Sequence, residues 1–196
     1  ANGKARIPAE IDANDQSGWA AQKRSTVGAA LVMTSPGIPM IFQGQEFLEG
    51  AWFRDNLPLD WARNANYAGI ANLYRDLVNL RLNRAQLTRG LTGQHVDVTI
   101  ADDNAKLLAF HRWADGGVGD STVVVVNLSH ESREDISVPF PATGAWKLRF
   151  NSDARAYSAL FGDFASFDTH ASDADGAVTA SVSIAGYSVL IYSQDV

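Results

Sequence analysis

Cysteine is absent from the 196 residues, which excludes a disulfide framework and any thiolate metal site. That absence leaves the compartment open. Histidine is scarce: His95, His111, His130 and His170 stand apart, with no helical i, i+4 pair and no ligand cluster beside them. A zinc centre is therefore not expected. No apolar run approaches the roughly 20 residues of a membrane span. The opening Ala1-Asn2-Gly3-Lys4-Ala5-Arg6 has no apolar signal-peptide core behind it, and the missing initiator Met fits processing or a cut in a longer chain. Positive charge is short as well. Sixteen Lys and Arg stand against 22 Asp and Glu, net −6, with no basic patch, so a nucleic-acid partner is not expected. There is no phosphate-cradling glycine motif and no G-x-S-x-G elbow. Asp173-Ala174-Asp175-Gly176 lacks the third ligand and closing Glu of a calcium loop and reads as a turn. Nothing implies a cofactor or a metal.

What is present is an ordinary globular composition, 46% hydrophobic and 19% charged. Gly3, Pro8, Asn14 and Asp15 mark residues 1–15 as a surface loop. Ser17 is the expected N-cap of a helix to about residue 34, apolar nearly all round in its second half. Pro36 and Gly37 break it. Residues 38–42, Ile-Pro-Met-Ile-Phe, form an apolar run without polar alternation, the pattern of a parallel strand buried on both faces. Gln43, Gln45 and Glu46 follow at its C-terminal end, where parallel α/β folds carry their chemistry. Residues 47–66 are irregular and long for a connection, and such loops are often functional. A second helix is expected over 67–83, with Ile70, Leu73, Leu77 and Leu80 as its apolar stripe.

The period changes after about residue 84. Strands are expected at 96–100, 107–113, 122–127, 136–140, 146–150, 178–184 and 188–192. Val178, Ala180, Val182 and Ile184 alternate with Thr179, Ser181 and Ser183 as a half-buried strand does. Turn residues separate these segments. Seven or eight short antiparallel strands argue a β-sandwich, joined to the first part near 84–94.

Glu46 is a candidate catalytic carboxylate, but glycoside hydrolysis usually needs a second one about 5 to 9.5 Å away. Asp55 and Asp60 are nearest in sequence. A structural role for Glu46, bonding loop backbone, competes with the catalytic one. Trp52 and Phe53 suit a sugar-stacking platform or a hydrophobic plug, and Trp61 suits the plug.

The stretch Gly37-Ile38-Pro39-Met40-Ile41-Phe42-Gln43-Gly44-Gln45-Glu46, with Leu57-Pro58-Leu59-Asp60-Trp61 and Leu73-Tyr74-Arg75-Asp76-Leu77, resembles the α-amylase superfamily, glycoside hydrolase family thirteen. Within it the resemblance is greatest to 1,4-α-glucan branching enzymes. Phe110-His111-Arg112-Trp113 and the strands at 123–127 and 189–192 resemble that family's C-terminal sandwich. The resemblance implies an α/β remnant at 1–87, the last helix, strand and helix of a TIM barrel of about 250 residues. An all-β antiparallel Greek-key sandwich would occupy 88–196. It implies an α-glucan substrate, a retaining glycosyl transfer in the full-length protein, and a cytoplasmic bacterial location. It carries no catalytic residue onto this chain, because nothing here matches the family's nucleophile, acid/base or third carboxylate. Glu46 matches a motif residue that shapes the strand-eight mouth. The substrate-contact candidates are Gln45, Glu46, Trp52, Arg54 and Asp55. Unpaired edges of strand eight would invite self-association. The alternatives are an amylase-type hydrolase and a glucan-binding module, the latter calling for a flat exposed pair among Tyr157, Phe161, Phe164 and Phe167.

Overall fold

The computed structural model describes residues 5–54, 56–162 and 164–195. Among these residues four α-helices precede eight strands: α1 Ile7–Ile11, α2 Trp19–Thr34, α3 Ala62–Asn66, α4 Ala68–Arg81, β1 His95–Asp102, β2 Leu107–Trp113, β3 Thr122–Asn127, β4 Arg133–Pro139, β5 Gly144–Asn151, β6 Thr169–Ala174, β7 Ala177–Ile184 and β8 Ser188–Ser193.

The strands run in the order β1-β2-β3-β8-β5-β6-β7-β4, with every pairing antiparallel. Consecutive β5, β6 and β7, with β8 returning beside β5, make a Greek key. β5 turns the corner of the sandwich. Residues 147–151 pair with β8, and residues 144–146 pair with β6. A strand that changes sheets in this way lets one continuous ladder fold back on itself.

The runs Thr-Val-Val-Val-Val-Asn and Ser-Val-Leu-Ile-Tyr-Ser owe their lack of alternation to burial on both faces. Val123, Val125, Leu190 and Tyr192 face the sandwich core with Trp146, Val182 and Ile184. Val124, Val126, Val189 and Ile191 face the helices, where Val27, Ala30, Met33, Ile70, Leu73 and Leu77 cover them. The result is three layers: helices, a central sheet, and an outer sheet. Gly69 marks the closest approach of α4, since a Cβ there would lie 2.2 Å from the Tyr157 carbonyl oxygen.

Polar groups fix the register between layers. Lys23 on α2 meets Asp153, just after β5, at 2.5 Å, with both side chains buried. Arg112 on β2 is fully buried and donates to the carbonyls of Thr34, Leu91 and Gly93. It thereby closes the C-terminal end of α2 and the connection into β1. Burial, with Arg81 nearby, pushes its pKa down to about 10, so it stays cationic at neutral pH. Arg81 holds the carbonyls of Ser35 and Gly37.

Several expectations are corrected. Residues 38–42 are not a strand. They have no ladder partner, with Ile38 99% and Met40 75% exposed. A central strand exists only through neighbours on both sides, and no described segment supplies one. Ser17 is not the N-cap. Gly18 takes that position without a side-chain bond, and the Ser17 hydroxyl accepts from Tyr67 Oη at 2.6 Å. Residues 7–11 are helical where a loop was expected, because Pro8 lies in the first turn, where its missing N–H costs nothing. β6 was missed: Thr-His-Ala-Ser-Asp-Ala has little β-branched or apolar character, and pairing with β5 and β7 supplies its structure. Among the described residues, no helix is long and apolar enough to cross a membrane.

Candidate functional site

The segment after α2 folds as a tight turn. Gly44 adopts φ +82°, a 3₁₀ turn follows over Gln45–Phe47, and Phe47 and Leu48 are buried beneath it. The described residues 50–54 and 56–60 then form an arch before α3. Between this arch and the N-terminal segment lies a cleft of about 650 Å³, within the range of small-ligand sites. Trp52, Phe53, Arg54, Glu49, Asp60 and Arg63 line it, with Arg6, Gln16 and Gln43 opposite.

Glu49 organises the wall. It is buried; Oε1 accepts from the Ala51 N–H at 3.0 Å and Oε2 from the Asp60 N–H at 3.2 Å. Burial alone would raise its pKa, but those two N–H groups and the charges of Arg63 and Arg6 outweigh it and hold the carboxyl below its usual value. Glu49 therefore stays ionised at neutral pH and cannot donate a proton. Arg63 donates to the Leu48 carbonyl at 2.5 Å and lies over the Tyr67 ring. Arg6 donates to the Gln43 carbonyl, with its guanidinium 4.7 Å from the Phe42 ring centroid. The Phe42 and Phe53 rings meet at 5.6 Å. Trp52 is 53% exposed at the cleft, so its ring is available to a ligand.

Of the residues picked from sequence, Trp52 and Arg54 lie together in the cleft wall. Gln45 lines a neighbouring apolar cavity of about 120 Å³, and its Oε1 accepts from the Phe42 N–H at 3.1 Å, a supporting role. Glu46 lines neither cavity, and one of its carboxylate oxygens is buried without a hydrogen-bond partner. Asp55 lies outside the described residues. Trp61 leans on buried Phe47 at 5.3 Å while remaining largely exposed. Glu49, Arg6 and Arg63 were missed. Glu49 bonds positions two and eleven residues away, a pairing that only the folded arch reveals. Among the described residues, no group of three or more His, Asp or Glu could hold a metal. The sandwich aromatics do not form a flat platform: Phe161 is buried, Tyr157 donates to Asp76 at 2.7 Å, and only Phe167 is strongly exposed. The cleft thus offers exposed aromatic faces, guanidinium and amide donors, and the Asp60 acceptor. This is the mixture that grips a hydroxylated ligand with apolar faces.

The family model described as "Alpha amylase, C-terminal all-beta domain" matches residues 98–195, half of the chain. The chain belongs to that family. The alpha-amylase C-terminal domain therefore comprises β2 to β8 and most of β1. The cleft lies outside it. Similar curated proteins extend further. The 1,4-alpha-glucan branching enzyme GlgB of Pseudomonas syringae pv. syringae is 31% identical over 152 residues, covering 75% of this chain and 20% of that protein. GlgB 1 of Rhizobium johnstonii is 28% identical over 189 residues, covering 93% and 25%. The chain thus spans about a fifth to a quarter of these relatives. A debranching enzyme from Nostoc punctiforme shares the fold, with TM-score 0.65 and 19% identity over 99% of this chain and 34% of that one.

Proposed function

We propose that this chain is a C-terminal portion of a 1,4-α-glucan branching enzyme and that its cleft is a glucan-contact surface. Residues 1–87 would be the closing helix, strand and helix of a (β/α)8 barrel, and 88–196 the C-terminal sandwich. The observation that carries this is the reach of the similarity. A 189-residue match to a branching enzyme is too long to be confined to the sandwich and takes in the half that bears the cleft. The exposed apolar side chains of 38–42 support it too. Ile38 and Met40, 99% and 75% exposed, are what a barrel strand presents when its neighbours belong to another part of a longer protein.

In the full protein, a pair of carboxylates would break an α-1,4 bond with retention, and the glucan would pass to a sugar 6-hydroxyl. This chain supplies neither carboxylate. Glu49 is committed to two backbone N–H groups and kept ionised, which rules it out as the acid. Trp52 would stack on a glucose ring while Arg54 bonds its hydroxyls, and Gln45 would brace the turn behind them. Calorimetric titration with maltoheptaose tests this directly. The chain should bind in the millimolar range, and Trp52→Ala should weaken binding about tenfold, as loss of one stacked ring does. Unchanged affinity in Trp52→Ala would refute the contact. A branching assay on amylose should give no turnover from the 196 residues alone, and measurable branching would overturn their catalytic silence.

A further inference from the structure

We propose that Glu49 is the positioning residue of the cleft, tying Ala51 and Asp60 to one shared carboxylate; its ligand rests on the glucan assignment above. Compact loops with adjoining ends are usually packed by their own side chains. Here the described side chains of the arch are mostly exposed, including Trp52, Phe53, Arg54 and Leu57. Apart from the Phe53 ring on Phe42 and the Leu57 N–H on the Arg54 carbonyl, the arch is therefore held by its ends. One end is the Ala51 N–H on Oε1, and the other is the Asp60 N–H on Oε2. The carboxylate itself is fixed. Its backbone N–H donates to the Gly44 carbonyl at 2.9 Å, and a Cβ at Gly44 would lie 2.7 Å from the Glu49 Cβ, so only glycine leaves room for it. Arg63, which also lines the cleft, grips the carbonyl of the preceding Leu48. Trp52 follows one pinned residue directly, and its orientation depends on that pin.

A carboxylate can accept at both oxygens, whereas a carboxamide accepts at one and presents N–H groups from the other. Glu49→Gln therefore keeps the size but must release one end. Glu49→Asp keeps the charge but is one methylene too short to reach both. The experiment reads three quantities on the 196-residue chain and on both variants: amide exchange at Ala51 and Asp60 by NMR, maltoheptaose affinity, and Tm. The expected result is exchange about tenfold faster at one of the two amides in each variant, affinity about tenfold weaker, and Tm within about 2 °C of wild type. A residue that merely stabilised the fold would lower Tm and affinity together. Unchanged amide protection in Glu49→Gln overturns the proposal. Unchanged affinity with faster exchange also overturns it, because the pinned loop then positions nothing, while the glucan assignment stands. Faster exchange in the variants together with a wild-type chain that binds no maltoheptaose removes the glucan assignment, and with it the positioning role, leaving only a loop pin.

Discussion

Removing one partner of the Lys23–Asp153 pair should uncouple the helices from the sandwich. The two residues are 130 positions apart, meet at 2.5 Å, and have side chains only 1% and 5% exposed. Breaking such a pair from one side strands a buried charge and typically costs about 3–5 kcal/mol, against about 0–1 for an exposed pair. For a chain of this size each kcal/mol lowers Tm by about 2–4 °C. Lys23→Met should therefore melt roughly 6–20 °C lower, since it leaves the buried Asp153 carboxylate without its cation. The double variant Lys23→Met, Asp153→Leu replaces both charges with apolar groups and should recover most of the loss, since a buried pair and its apolar substitute are often close in energy. Urea unfolding followed by helical circular dichroism and by tryptophan fluorescence reads both layers. In the wild type the two transitions should coincide. A single variant losing less than about 1 kcal/mol would refute the reasoning, because the pair would then be behaving as a surface contact.

Three further perturbations test other parts of the account. Arg112→Met removes a buried donor from the carbonyls of Thr34, Leu91 and Gly93 and should cost about 2–4 kcal/mol in urea unfolding. Leu73→Ala empties a fully buried site between α4 and the central sheet and should cost about 2–5 kcal/mol by the same measurement. Glu49 has a lowered carboxyl pKa, so its contribution is complete above the usual value of 4.5 and is lost as pH falls through the lower folded value; amide exchange of Asp60 should quicken there, and Glu49→Gln should abolish the step. His111 acts in the same direction at higher pH. Burial lowers its pKa more than Asp97 and Asp120 raise it, so the unfolded chain holds the proton more tightly, and stability should rise with pH up to about 6.5, a slope that His111→Gln flattens.

The sandwich was largely legible because its signals are local. Val178, Ala180, Val182 and Ile184 alternate in sequence and lie half or fully buried along one strand. The Val123–Val126 run declares burial on both faces, although only the structure shows that α2 and α4 cover one of them. Residues 38–42 carry the same kind of signal with the opposite outcome. An apolar run specifies a demand for neighbours, and no described segment meets it. The cleft was half legible. Trp52 and Arg54 are conspicuous in a long loop, but Glu49 gains its role from backbone N–H groups that every residue type offers, so no side-chain pattern announces it. Glu46, the more conspicuous acid, stands at the end of an apolar run and lines neither of the two cavities.

The most direct test of the glucan account is the indole N–H resonance of Trp52, followed by NMR as oligosaccharide is added to the chain. A saturable shift with maltoheptaose, absent with a β-1,4-linked glucan of equal length and carried along with resonances of Arg54 and Asp60, is the predicted result. No response at Trp52, or a response confined to Phe167 and its neighbours on the sandwich, would contradict it.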